Sequence, residues 1–475
     1  MIKSSYTIVN ILILIVIQAY GIISYYATEY GTISIFSLLE SIGLAMISSM
    51  IYMYSKDNRS IRGQSFTICN LFLISFFIVH FFSPMSYSLN ITDYIKNMQK
   101  FDTNYLNAGI RAASCMYTAA ILGIITTQTP FKKGIKIKFS FNIGKVLTFL
   151  MSLFLIIFYI FTDKRYFQTG GNGLVLNQIG WNPLGYVAQT SFIACFIGNI
   201  IFRIYKFKSL SVAQYLKSFS VFFYIISIIY LYLVLSSGDR GPILDLSLSF
   251  FAGYIFINKI KVNKSVFIIG TISCALFLSF LGFLRVGSND LSFTKMFQAS
   301  ENLVEYYTEK NTLFTSTEEL SGVVGSYQVI YEYVEEQDCV YCIGIVNQIL
   351  GIVPGLRPIL YSVINFNPEN YGTAYLATSL MSADHGMGTT CAAEIYFNVK
   401  FIGSLIIFFL FGIFIKKLDL TAYEDSPKLI LFIFGFCYLI KAIYIGRSSI
   451  FEPLNLCIYT YVYLTLTNFF LKRLK

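Results

Sequence analysis

Apolar runs of about 18–22 residues recur along the whole chain, beginning with TIVNILILIVIQAYGIISYY at 7–26, and few folds can accommodate them. Each is long enough to cross a hydrocarbon core of about 30 Å as a helix. A backbone in lipid must satisfy its own hydrogen bonds, so such runs fold as helices. A β-barrel would show short alternating segments, and these runs are continuous. With 56% hydrophobic and 13% charged residues, and a mean hydropathy of +0.64, the chain lies outside the range of soluble domains. The expectation is an all-α polytopic membrane protein with about 12 transmembrane helices. They fall near 7–27, 33–54, 66–83, 108–128, 144–162, 184–204, 216–236, 242–258, 265–283, 392–415, 429–446 and 453–471. The first run has a basic start but no small-residue cleavage site, which predicts a retained span rather than a signal peptide.

Lysine and arginine placement tests that count. Alternate connections carry Lys3, then Lys56/Arg59/Arg62, Lys132/Lys133/Lys136/Lys138, Arg203/Lys206/Lys208/Lys217, Lys259/Lys261/Lys264, Lys416/Lys417/Lys428 and Lys472/Arg473/Lys475. These hold 21 basic residues against ten in the intervening connections, so alternation never breaks and both termini are expected in the cytoplasm. Anionic inner-leaflet lipid accounts for the net +10, and no nucleic-acid partner is expected.

One connection is not short. Residues 285–391 form an external stretch carrying twelve acidic and four basic residues, and a structureless loop of that length would be unusual. Within it, CIGIVNQILGIVPGLRPILY (342–361) is apolar but broken by Gly and Pro, which predicts an interfacial or re-entrant segment. The expected organisation is therefore 1–283 with nine spans, 284–391 as a large loop region, and 392–475 with three more spans.

The seventh span runs outward and the eighth returns, so SSGDRG at 236–241 is a tight outer turn. Pro242 suits the first helical position, with Gly241 at the cap. Free N–H groups and the positive dipole end then gather beside Arg240, which makes an anion site at the depth of a lipid phosphate. The plainer alternative is that Arg240 pairs with Asp239 or reaches to headgroups. Arg285, Arg357 and Arg447 also sit in outer apolar contexts, against the positive-inside tendency, and the guanidinium fork suits a diphosphate better than an ammonium does. Asp239, Arg240, Arg285, Arg357 and Arg447 are thus candidates for binding a phosphate-bearing substrate.

A second constellation is SADHGMGTTCAAEIYFNVKFIGSL at 382–405, where the loop feeds the tenth span. His385, flanked by Gly386 and Gly388, has an ordinary pKa of about 6.5 suited to proton transfer, and Glu394 follows as its orienter or as an alternative base. The other histidine, His80, is expected to be an interfacial residue at the outer end of the third span. Asp-x-Asp metal pairs and a Walker loop are missing, so no metal and no cofactor are expected. GGNGLVLNQIG at 170–180 follows no strand and is expected to be an external turn. Of nine cysteines, Cys339 and Cys342 share the external loop; they could pair with each other, or either could pair with Cys391.

The outward GDRG between adjacent spans, the large late loop, and HGMGTTCAAEIYFNVKFIGSLI resemble the bacterial O-antigen or oligosaccharide repeat-unit polymerases of the Wzy type. The local motifs cover some thirty residues, and the architecture covers the whole chain. The resemblance implies a glycosyltransferase-C-like enzyme of the bacterial inner membrane whose active site faces the periplasm. It would transfer a growing glycan from one undecaprenyl-pyrophosphate carrier onto the next lipid-linked repeat unit, alongside membrane lipids and a chain-length regulator protein. On that reading Arg240, helped by Arg285, Arg357 and Arg447, would neutralise the departing diphosphate, while His385, or Glu394, would take the acceptor proton. The rival functions are an O-antigen ligase with lipid A core as acceptor, a lipid-linked oligosaccharide flippase, and a transferase using a polyprenyl-phosphate monosaccharide. A flippase would be expected to carry internal repeats and midplane charges, neither of which is evident.

Overall fold

The computed structural model describes residues 5–28, 33–55, 64–91, 105–131, 142–164, 166–169, 183–237, 241–270, 322–353, 372–383, 386–424 and 427–473, with residues 31, 139–140, 273 and 356. Among the described residues every regular element is a helix. Nine helices are long and apolar enough to cross a membrane, and two shorter apolar ones accompany them. Seven of the nine are α1 (Ser5–Tyr26), α2 (Ile35–Tyr54), α3 (Ile68–Ser88), α4 (Leu106–Thr126), α5 (Ile143–Phe161), α6 (Pro183–Lys206) and α8 (Gly241–Asn258), with the shorter α7 (Val221–Ser237) between the last two. The large loop contributes α9 (Val324–Gln337), α10 (Ile343–Leu350) and α11 (Thr373–Leu380). The chain closes with α12 (Cys391–Ala422), α13 (Leu429–Ile445) and α14 (Pro453–Arg473). This is an all-helical, multi-pass membrane protein. Eleven of the twelve apolar runs coincide with these helices; the ninth run, at 265–283, is described only at 265–270 and 273.

The helices alternate in direction, and their ends sort into two layers. At one end Asp419 of α12 accepts the N–H groups of Ile68 (2.8 Å) and Cys69 (3.0 Å), supplying the first turn of α3 with a buried acceptor. There too Ser65 N donates to Val262 O (2.9 Å), Phe131 N to Thr421 Oγ1 (3.0 Å), Ser140 N to Asn468 Oδ1 (3.0 Å) and Leu210 N to Asn258 Oδ1 (2.8 Å). The described helix ends that flank the basic connections therefore meet at a single end of the bundle.

At the opposite end the starts of α2 and α4 meet through Ser34 N and Asn107 Oδ1 (3.4 Å), and the starts of α6 and α14 through Tyr186 and Asn455. The loop helix α9 lies over this end, its Tyr327 hydroxyl donating to Gly109 O (2.8 Å) in the first turn of α4. Packing at mid-depth depends on glycine. Cβ atoms built on Gly123 of α4 and Gly412 of α12 would lie 2.1 Å from Phe409 O and 2.2 Å from Ala120 O, so the two backbones touch directly.

Three departures from a plain bundle matter for function. Helix α3 widens into a π-turn at Ile78–Phe82 around His80, which is wholly buried rather than interfacial because α9 covers it: its ring lies 5.5 Å from that of Tyr327. The apolar 342–361 stretch folds as the single short helix α10 before residues 354–355 and 357–371, which lie outside the described residues. Helix α12 is broken at Lys400 (φ 53°, ψ −165°). The carbonyls freed by the break, Phe397 O and Asn398 O, accept Val340 N (2.9 Å) and Cys342 N (3.0 Å), while Lys400 Nζ lies 2.8 Å from Asp338. The loop thus repairs the broken helix with its own backbone.

Candidate functional site

Helix α12 begins where it does because Thr390 caps it, accepting the Ala393 N–H at 3.0 Å. Gly388, at φ 74°, takes the left-handed turn that leads into this cap. Glu394 falls in the first turn, where the helix dipole favours a carboxylate. It is 2% exposed, and among the described residues neither carboxyl oxygen has a hydrogen-bond partner. Its polar neighbours are Ser449 and Glu452 in the turn between α13 and α14. The Ser449 hydroxyl donates to Gln348 Oε1 of α10 at 2.7 Å. A buried carboxyl without partners is costly in a low-dielectric setting, and such groups concentrate where chemistry or binding occurs.

The α13–α14 turn is held from three sides. Cys391 N at the head of α12 donates to Gly446 O (3.3 Å), and Ser75 Oγ of α3 donates to Ile443 O (2.5 Å). A Cβ on Gly446 would come within 2.5 Å of Ser75 Oγ and 2.9 Å of its carbonyl carbon, so only glycine fits there. From the third side Lys441 of α13 reaches Asp245 of α8 at 2.8 Å and Glu452 at 3.0 Å, and the Ser448 hydroxyl also donates to Glu452. Burial works to raise the Glu452 carboxyl, but Lys441 and Ser448 outweigh it and hold the group below the usual glutamate range.

Of the residues singled out in the sequence, Glu394 and Arg447 lie on segments whose backbones are joined. The Cys391–Gly446 hydrogen bond joins the residue three before Glu394 to the residue one before Arg447. Asp239, Arg240, Arg285, Arg357 and His385 lie outside the described residues. Their flanks are placed: α8 starts at Gly241, one residue after Arg240. On the far side of His385, Met387 donates its N–H to Thr378 Oγ1 of α11 (3.1 Å) and accepts from Ser326 Oγ of α9 (3.2 Å). Sequence reasoning missed Asp245, Lys441 and Glu452. The available signal was Lys441 itself, an ionisable residue inside an apolar run.

A second polar layer lies at the same end. The Tyr25 hydroxyl of α1 is 2.8 Å from that of Tyr331 (α9) and 2.9 Å from that of Tyr396 (α12), and Tyr396 donates to Glu335 at 2.5 Å. Arg111 of α4 donates to Glu40 of α2 at 2.5 Å and to Ser37 and Ser41. The His80 ring stacks on Phe76 (4.1 Å) and its Nδ1 lies 3.0 Å from Phe76 O, so Nδ1 carries the proton; Nε2 has no partner among the described residues. Cys339, Cys342 and Cys391 are free thiols, and Cys391 is fully buried.

Fold and site together define a multi-pass membrane protein that gathers carboxylates, cations and loop helices at one end of its bundle and basic connections at the other. Residues 6–474 match the family of the O-antigen polysaccharide polymerase Wzy, and the chain belongs to that family. Its activity in general terms is therefore the polymerisation of O-antigen repeat units. No curated protein and no solved structure matches it.

Proposed function

We propose that this chain elongates O-antigen at the periplasmic face of the bacterial inner membrane, moving the growing glycan from undecaprenyl pyrophosphate onto the next undecaprenyl-pyrophosphate-linked repeat unit. The observation that carries this reading is Glu394, a buried carboxyl whose two oxygens have no hydrogen-bond partner among the described residues, on the helix joined to the Arg447 turn. The helix ends that flank the basic connections meet at one end of the bundle, and the positive-inside tendency supports reading that end as cytoplasmic and the Glu394 end as periplasmic.

In the reaction an acceptor hydroxyl oxygen bonds to the anomeric carbon as the bond from that carbon to the pyrophosphate oxygen breaks. The electron pair leaves with undecaprenyl pyrophosphate, and the hydroxyl proton passes to a base. Arg240 and Arg447, with Arg285 and Arg357 as further candidates, neutralise the charge that grows on the diphosphate. Asp239 is a further candidate for binding the substrate. His385 or Glu394 receives the proton: the histidine matches neutral pH by its ordinary value, and the carboxyl of Glu394 has no competing hydrogen-bond partner among the described residues.

The test is complementation of a deletion strain followed by gel profiles of surface glycan. Glu394→Gln and Arg240→Ala should accumulate to wild-type protein levels while the long-chain ladder collapses to a single repeat, since a general base contributes about 10²–10⁴-fold. A normal ladder in Arg240→Ala or in Glu394→Gln would count decisively against that residue's role. Repeat units trapped inside the deletion strain, with none capped onto the outer acceptor, would instead favour a flippase.

A further inference from the structure

Two turns at the site end share a pattern that neither the family nor the proposed chemistry requires. In GDRGPILD, Asp245 follows Arg240 by five residues; in GRSSIFE, Glu452 follows Arg447 by five. Each segment leads into a helix with proline in its first turn, Pro242 in α8 and Pro453 in α14. A single ammonium joins them: Lys441 Nζ sits 2.8 Å from Asp245 Oδ2 and 3.0 Å from Glu452 Oε1. The Asp245 and Lys441 side chains are 2% and 13% exposed, so the pair is taken out of solvent, while Glu452 forms the outer member at 33%.

We propose that Lys441, with Asp245 and Glu452, is a positioning device that fixes the head of α8, which follows Arg240 in the chain, and the Arg447 turn relative to each other and to Glu394. This rests on the reading above, in which those arginines and that carboxyl act on one substrate. The physical case is that a buried ion network is a poor source of stability, because desolvation offsets most of its attraction; its best-attested use is to specify one register. Packing alone would let α8 slide or rotate against α13, since apolar contacts are not directional. Hydrogen bonds from one ammonium to two carboxylates, one on α8 and one in the α13–α14 turn, admit only one arrangement. Glu452 is fixed a second time, by Ser448, and it neighbours Glu394, so the network ends against the proposed base.

A register device and a merely stabilising one differ in what happens when the whole network is neutralised. The triple variant Asp245→Asn/Lys441→Met/Glu452→Gln removes all three charges together, so that none of the three is left facing a missing counter-charge. Assayed in detergent with lipid-linked repeat units extracted from the deletion strain, it should retain wild-type abundance and thermal midpoint. Its kcat should fall about 100-fold with little change in KM, the loss expected for a displacement of about 1 Å in groups that act on the transition state. Wild-type kcat in a folded triple variant overturns the proposal. If the triple variant does not accumulate, Asp245→Asn decides. It releases α8 alone, and it should lower kcat at least tenfold at normal abundance; an unchanged kcat overturns the proposal equally. The two readings fail separately: an active Glu394→Gln sinks the base, whereas an inactive Glu394→Gln beside an active triple variant sinks only the positioning role.

Discussion

Substituting the glycines where α4 crosses α12 gives the most quantitative test of the architecture. A Cβ on Gly412 would stand 2.2 Å from Ala120 O, and one on Gly123 would stand 2.1 Å from Phe409 O. A carbon–oxygen contact across a helix interface needs about 3.3–3.6 Å, so each methyl demands a separation of roughly 1 Å. The obstacle is a backbone carbonyl in both cases, and it cannot rotate aside as a side chain would. Each alanine should therefore cost about 1–3 kcal/mol through overpacking, lowering the thermal unfolding midpoint of the purified protein in detergent. Because the two methyls open the same crossing, the first separation accommodates the second. The double variant should lose clearly less than the two single losses combined, a coupling expected only between sites in contact. Additive losses, or two alanine variants with the parental midpoint, would refute the direct backbone approach.

Tyr396→Phe removes the link from Tyr25 to Glu335, should cost about 1 kcal/mol, and should speed proteolysis or hydrogen exchange in α9 while α6 is unchanged. Gly446→Val drives a side chain into Ser75, so the Arg447 turn must move and polymer length on glycan gels should shorten with the protein still inserted; unaltered length would mean the turn is not at the site. The Asp338 carboxyl is held below the usual aspartate range by the hydrogen bond from Lys400, then by Cys339 N–H and the Tyr341 hydroxyl. Its folded value lies below the unfolded one of about 3.9, so the docking it supports is present above that pH and is lost as pH falls below it. Hydrogen exchange at Val340 and Cys342 should accelerate in acid and become insensitive to acid in Asp338→Asn.

The apolar runs disclosed most of the fold because lipid imposes one demand on every span, about 20 residues of self-bonded helix, which is a local property. The basic connections likewise predicted which helix ends share a layer, and Gly241–Pro242 marked the start of α8 within a residue. What stayed hidden depends on partners far apart in sequence. The break at Lys400 has no proline to announce it; it exists because Val340 and Cys342, some sixty residues earlier, supply donors to the freed carbonyls. Lys441 read as one charge in a greasy run, and only folding sets Asp245, almost two hundred residues away, against it. His80 sat where a headgroup-facing residue is expected, but α9, a helix from the distant loop, roofs it over.

The break in α12 also has a mechanical consequence. Residues 401–422 extend about 33 Å as a helix and are sufficient by themselves to cross the hydrocarbon core. The nine residues from Cys391 to Val399 are then free of any matching to bilayer thickness, and the backbone of 340–342 clips them to the loop. Thinning or thickening of the surrounding lipid would tilt the lower segment and be absorbed at Lys400, leaving the height of Glu394 dictated by protein rather than by membrane.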